Sequence, residues 1–115
     1  MSKTMQMRIR ILPYYSKSFS QTYPNMAKRL GRVDGPWVEE GPSLFDIVAR
    51  LDKLLYELEG DPPFREILLT QKKPLHQLYE TVEESIADWH LAKADQALYK
   101  MEDIFDEIER ELGKI

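Results

Sequence analysis

The last two-thirds of the chain carry apolar residues at regular spacings of three and four positions. This spacing places the apolar side chains on one face of an α-helix. It predicts helices at about residues 43–59, 63–88 and 91–112. The second contains Pro74, so we expect a helix kinked at that residue or two closely stacked segments. Ser43 stands three residues before an aspartate and is the predicted N-cap of the first helix.

The two last helices are predicted to form a hairpin. Their apolar stripes are out of phase by about 100°, counted at 100° per residue. Trp89 is the last member of the first stripe and Leu91 is the first member of the second. The chain must therefore turn near residues 87–90, although this stretch contains neither glycine nor proline.

A different pattern opens the chain, where apolar and polar residues alternate over residues 5–12. A period of two is typical of a β-strand with one buried and one exposed face. Residues 14–30 return to helical spacing but contain Pro24, which predicts a short or broken helix closing at Gly31.

Residues 32–42 are rich in turn-forming residues and predict a connector. Trp37 in its middle is expected to pin the connector to the core. The patterns together predict an all-α protein, a small antiparallel bundle of three to four helices at residues 43–115. A basic N-terminal arm and connector, residues 1–42, precede the bundle. This arm can contribute one short β-strand, at residues 5–12.

Composition limits the class of protein further. The chain has 115 residues, 43% hydrophobic and 31% charged, which is typical of a single globular domain. The absence of cysteine excludes disulfides, thiolate zinc sites and thiol nucleophiles. No apolar run is long enough for a transmembrane helix, so we expect a cytoplasmic protein. The first 33 residues, basic and without acidic residues, are also typical of an organellar transit peptide.

Charge is distributed unevenly. Residues 1–33 contain seven basic and no acidic residues, whereas residues 34–115 contain all 20 acidic and nine basic residues. Such a basic arm can neutralise the protein's own acidic helices, bind an acidic partner chain or bind phosphate. The acidic end of the last helix surrounds a single Arg110, so we expect a positive group beside it. The candidate partner-binding residues are Arg8, Arg10, Lys28, Arg29, Arg32 and Trp37.

No catalytic or metal-binding motif is present. His76 and Glu80 could share a helix face, but no glutamate precedes either histidine by three residues, as di-iron bundles require. Ser85 lacks the strand–turn–helix elbow of a nucleophilic serine. We therefore predict no metal, cofactor or small-molecule substrate, and no enzymatic activity.

The N-terminal segment from Met7 to Pro13 resembles the opening of ribbon–helix–helix repressors and antitoxins. That resemblance implies a dimeric DNA-binding protein in which Gln6, Arg8 and Arg10 read base edges in the major groove. In that family two helices follow closely, whereas the first strong helical pattern here starts only at residue 43.

The expected function is protein–protein interaction. Wide apolar stripes and aromatic residues in the first third favour a small adaptor or assembly protein that self-associates as a homodimer. DNA binding through the N-terminal strand is the alternative.

Overall fold

A computed structural model describes residues 18–115, and this part of the protein is all-α. It contains seven α-helices, one 3₁₀ turn and no β-strand within those residues. The helices are α1 Phe19–Thr22, α2 Pro24–Gly31, α3 Gly35–Glu40, α4 Leu44–Ala49, α5 Leu51–Glu57, α6 Pro62–Ala87 and α7 Leu91–Leu112, with the 3₁₀ turn Leu58–Gly60 after α5. The strand predicted at residues 5–12 lies outside the described residues.

The two long helices α6 and α7 form the predicted antiparallel hairpin. The bounds of α7 agree with the predicted ones, and α6 begins and ends one residue earlier than predicted. Pro74 lies inside a continuous α6, so the alternative of two stacked segments is wrong. Proline removes one backbone donor, but Leu68 and Leu75 on either side of it are both buried in the same core, which keeps the helix in phase.

The helix predicted at residues 43–59 is divided at Arg50, whose backbone leaves the helical region with φ −99° and ψ 7°. Its N-terminus is as predicted, because the Ser43 hydroxyl accepts a hydrogen bond from the Asp46 amide at 3.0 Å. The Arg50 guanidinium lies over the Trp37 ring, 3.9 Å from its centroid, and pairs with Asp34 at 3.4 Å. The break therefore coincides with long-range contacts that periodicity cannot show, and the predicted number of three to four helices is not confirmed.

The connector predicted at residues 32–42 contains a helix, so that prediction is wrong for α3. The Asp34 carboxylate accepts a hydrogen bond from the Trp37 amide at 3.2 Å and caps the helix, and Pro36 lies in its first turn. Gly41 ends α3 in the left-handed conformation, with φ 75°. The residue types that indicate turns are also common at the starts and ends of helices. In this segment they begin and end α3.

The first two helices confirm the predicted broken helix from residue 18 onward, and residues 14–17 of that prediction lie outside the described residues. The break is at Tyr23, before Pro24, and α2 closes at Gly31. Apolar residues of α1, α2 and α3, and Tyr23 between α1 and α2, are buried in the same cluster as those of the later helices; they are Phe19, Tyr23, Met26, Ala27, Leu30 and Val38. The division of the chain at residue 42 stays a prediction.

The described part of the protein, residues 18–115, is elongated, with dimensions of 50 × 26 × 26 Å. At one end, α2, α4 and α5 pack on α6 or α7, α1 and α3 pack on α2, and Phe64 and Phe105 are fully buried. At the other end a small cluster of Val82, Ala94 and Ala97 joins α6 to α7, and only Phe45 of α4 reaches it among the described residues of the other helices. We call residues 82–98 the tip. The opposite end, which contains α1 to α5, the start of α6 and the end of α7, is the base. No helix within residues 18–115 has the length and apolar character needed to cross a membrane.

Candidate functional site

The turn between α6 and α7 has an unusual residue at its centre. His90 N–H donates to the Ser85 carbonyl at 2.7 Å, and Trp89 N–H donates to the Ile86 carbonyl at 3.1 Å. This pair of bonds is the Schellman motif that ends many helices, and its left-handed position is usually filled by glycine. Trp89 fills it with φ 60°, the one positive φ outside glycine in the described chain. A side chain in this conformation costs about 1–2 kcal/mol.

The same turn exposes large apolar side chains. Trp89 is 48% exposed and Leu91 is 49% exposed, while Ile86 and Leu98 beside them are only partly buried. The sequence places Trp89 and Leu91 in the apolar stripes of the two helices. The structure corrects this placement, because no other described helix extends far enough along the hairpin to cover them.

Acidic residues surround this apolar surface. The tip, residues 82–98, contains four acidic residues and one basic residue, Lys93. Glu83, Glu84 and Asp88 are exposed close to the turn. An aromatic anchor with a charged rim is typical of a protein-binding surface, and tryptophan is among the residues most enriched at the energetic centres of interfaces.

Two of the predicted partner-binding residues are held within the base. Arg29 Nη1 lies 2.6 Å from Asp61 Oδ1, with both side chains largely buried. Trp37 is half-buried beneath Arg50 and packs on the core. The structure thus gives both residues intramolecular contacts, and their partner-binding role stays a prediction.

The remaining predicted residues are dispersed. Lys28 is exposed on α2, and Arg32 is exposed directly after the end of α2, at the base. Gln6, Arg8 and Arg10 lie outside the described residues. The structure therefore does not bring the predicted set together at one place.

The acidic end of α7 contacts the N-terminus of α2, whose N–H groups carry partial positive charge, and a cationic partner from the basic arm stays a prediction. Glu109 accepts hydrogen bonds from the backbone N–H groups of Asn25 and Met26, each at 2.9 Å, and from the Asn25 side chain at 2.7 Å. Tyr23 donates its hydroxyl to Asp106 at 2.9 Å. The described part of the arm thus reaches the acidic helix through the N-terminus of α2, where the helix dipole favours a carboxylate. No ion pair between side chains of residues 18–115 joins α2 to α7.

The outer face of α6 carries a shallow concavity of about 370 Å³. Its lining residues all belong to α6; they are Leu69, Lys72, Lys73, His76, Gln77 and Glu80. Asp52 lies 3.3 Å from Lys72 Nζ and 3.8 Å from His76 Nε2. Side chains of a single helix diverge from its axis, whereas a substrate site needs polar groups that converge. Within residues 18–115 no three histidine or acidic side chains form a group suited to a metal ion.

Two pKa shifts lie away from this concavity. Burial, followed by the charges of Glu83 and Asp46, raises the pKa of Tyr79, whose ring stacks on Phe45 with centroids 4.3 Å apart. Burial, followed by repulsion from Asp106 and Asp103, raises the pKa of Glu102. Tyr79 therefore stays protonated at neutral pH and stacks as a neutral ring where the tip meets the base.

Sequence reasoning located the turn but missed its central residue. The signal was present, because two helical stripes out of phase without a glycine between them require another residue to take the left-handed position. No protein-family model, curated protein or solved structure matches this chain.

Proposed function

We propose that this is a small, cytoplasmic, non-enzymatic protein that acts by protein–protein association, with the tip as its contact surface. In this proposal α6 and α7 form the long antiparallel pair of a bundle, and the other helices hold that pair rigid at the base. The observation that carries the proposal is Trp89. A turn that served only to connect two helices would be less strained with glycine, and a half-exposed tryptophan has a use when a partner covers it.

The placement of the charged residues supports association rather than catalysis. Side chains that could act as acids, bases or nucleophiles are dispersed over helix surfaces in the described chain. The acidic rim of the tip suits a partner with an apolar pocket bordered by basic residues, since complementary charge guides association and sets specificity.

The test is a comparison of variants in a pull-down from a lysate of the source cells. Proteins retained by the wild type should be lost with Trp89→Ala and with Leu91→Ala. Tyr56→Ala is the matched control, because Tyr56 is an aromatic residue on α5 that is 76% exposed. Retention of the same proteins by wild type, Trp89→Ala and Leu91→Ala would contradict the proposal.

DNA binding through the N-terminal segment remains the second candidate, and the seven basic residues without an acidic one in residues 1–33 favour it. It predicts retention on duplex DNA that falls steeply with salt and is lost in Arg8→Ala/Arg10→Ala. Weak binding that those substitutions do not change would exclude this candidate.

A further inference from the structure

The tip and α2 carry opposite charge at opposite ends of the molecule. The tip, residues 82–98, has an excess of three acidic residues, whereas residues 18–33 contain three basic and no acidic ones. Of those three, Arg29 is paired with Asp61. Lys28 and Arg32 are exposed, and neither takes part in an ion pair of the described chain.

These two surfaces cannot meet within one molecule. The start of α2 is bonded to Glu109, near the end of α7, and Arg29 is bonded to Asp61, which directly precedes α6. The tip lies at the far end of α6, a helix of 26 residues and therefore about 39 Å long. The acidic rim of the tip is thus separated from α2 by most of the length of the molecule.

We propose that a second copy of this chain covers the tip, in an antiparallel dimer that places the tip of each protomer against α2 of the other. The proposal rests on the proposed function, because it names the partner that the tip binds. A twofold axis across the long molecules makes both contacts at once, and the assembly closes as a dimer. In each contact Trp89 and Leu91 supply the apolar centre, while Lys28 and Arg32 face Glu83 and Glu84.

The experiment is sedimentation of the full chain at about 100 µM, with variants that reverse charge at exposed positions only. The wild type should sediment as a dimer that dissociates as salt is raised, because exposed ion pairs are screened. Lys28→Glu/Arg32→Glu and Glu83→Lys/Glu84→Lys should each weaken self-association by about tenfold or more, since like charges then face each other. Circular dichroism melting verifies that both variants fold.

Mixing the two charge-reversed variants is the decisive measurement. Each acidic tip then meets a basic α2 and each basic tip meets an acidic α2, so the mixture should recover a heterodimer. The control is Lys53→Glu/Lys73→Glu, which changes the net charge by the same amount as Lys28→Glu/Arg32→Glu but at other exposed positions. Its self-association constant should stay within about threefold of the wild-type value. Failure of the mixture to associate would overturn the proposed arrangement.

Other outcomes separate this inference from the proposed function. A dimer unaffected by Lys28→Glu/Arg32→Glu would show that α2 is not the partner surface and would overturn the antiparallel arrangement. If the wild type were a monomer, the proposal that a second copy covers the tip would be wrong. Another protein or the chain's own basic N-terminus would then remain as the partner of the tip. The pull-down with Trp89→Ala tests the tip independently in either case.

Discussion

The base and the tip are formed by the same two long helices but differ in what surrounds them. At the base, α2, α4 and α5 pack on α6 and α7, α1 and α3 pack on α2, and large side chains such as Phe64 and Phe105 are fully buried. At the tip, small residues bring α6 and α7 together, and Trp89 and Leu91 remain half exposed. Because far more apolar surface is buried at the base, we expect most of the stability of the fold to reside there and the tip to contribute less.

The largest difference is expected between core substitutions at the two ends. Phe105→Ala removes a fully buried ring at the base and should lower the free energy of unfolding by about 3–5 kcal/mol. Val82→Ala at the tip removes two buried methyl groups and should cost roughly 1–2 kcal/mol. Urea denaturation followed by circular dichroism measures both. Equal costs would mean that the tip is as important for stability as the base.

A smaller effect is expected from the contact between Glu109 of α7 and the N-terminus of α2. Glu109→Gln leaves one acceptor oxygen for the two backbone N–H groups that the carboxylate now binds, and it removes the charge at the N-terminus of α2. It should lower the free energy of unfolding by about 1–3 kcal/mol. Glu107→Gln, an exposed neighbour, is the control and should change it by less than about 0.5 kcal/mol. Similar costs for the two variants would argue against a stabilising role for this cap.

The strain at the tip can be measured with two variants of one residue. Trp89→Ala retains a Cβ atom in the left-handed conformation, whereas Trp89→Gly does not. Both variants lose the same tryptophan contacts, so the glycine variant should be the more stable by about 1 kcal/mol. Thermal melting measures the difference. If the alanine variant were equally stable, Trp89 would carry no backbone strain.

The smallest effect concerns Glu102, whose pKa is raised above 4.5 by burial and by repulsion from Asp106 and Asp103. A carboxyl group whose pKa is higher in the folded chain binds more protons in the folded state than in the unfolded state. The free energy of unfolding therefore decreases as pH rises from the pKa of the unfolded chain through the pKa of the folded chain. Glu102→Gln should therefore raise the melting temperature slightly at pH 7 and lose this advantage near and below pH 4.5. Glu66→Gln controls for the loss of one exposed negative charge. If the higher melting temperature of Glu102→Gln persisted at low pH, the raised pKa of Glu102 could not be its cause.

Local sequence patterns predicted the long helices well, because their stability depends on apolar faces that repeat every three to four residues. The bounds of α7 and the cap at Ser43 follow directly from such patterns. The break at Arg50 could not be predicted, since Arg50 contacts Trp37 and Asp34, which come earlier in the chain. Helix α3 was missed because capping residues and turn residues are the same types of amino acid.

The candidate site was less accessible to sequence reasoning. Periodicity assigns Trp89 and Leu91 to helix faces, but it does not show how far the neighbouring helices extend along them. The charged residues chosen from the first third were selected by composition, and for Arg29 composition could not reveal the pairing with Asp61. Exposure is a property of the whole fold, which explains why the tip emerged only from the structure.

The bonds from Asn25 and Met26 to Glu109 also bear on the order in which the molecule assembles. They join residues 83 and 84 positions apart, whereas α6 and α7 are neighbours in sequence joined by a short turn. Closing a long loop costs more conformational entropy than closing a short one, so we expect the hairpin to form before α2 docks. In pulsed hydrogen exchange during refolding, the amides at the buried centre of α7 should therefore be protected earlier than those of α2.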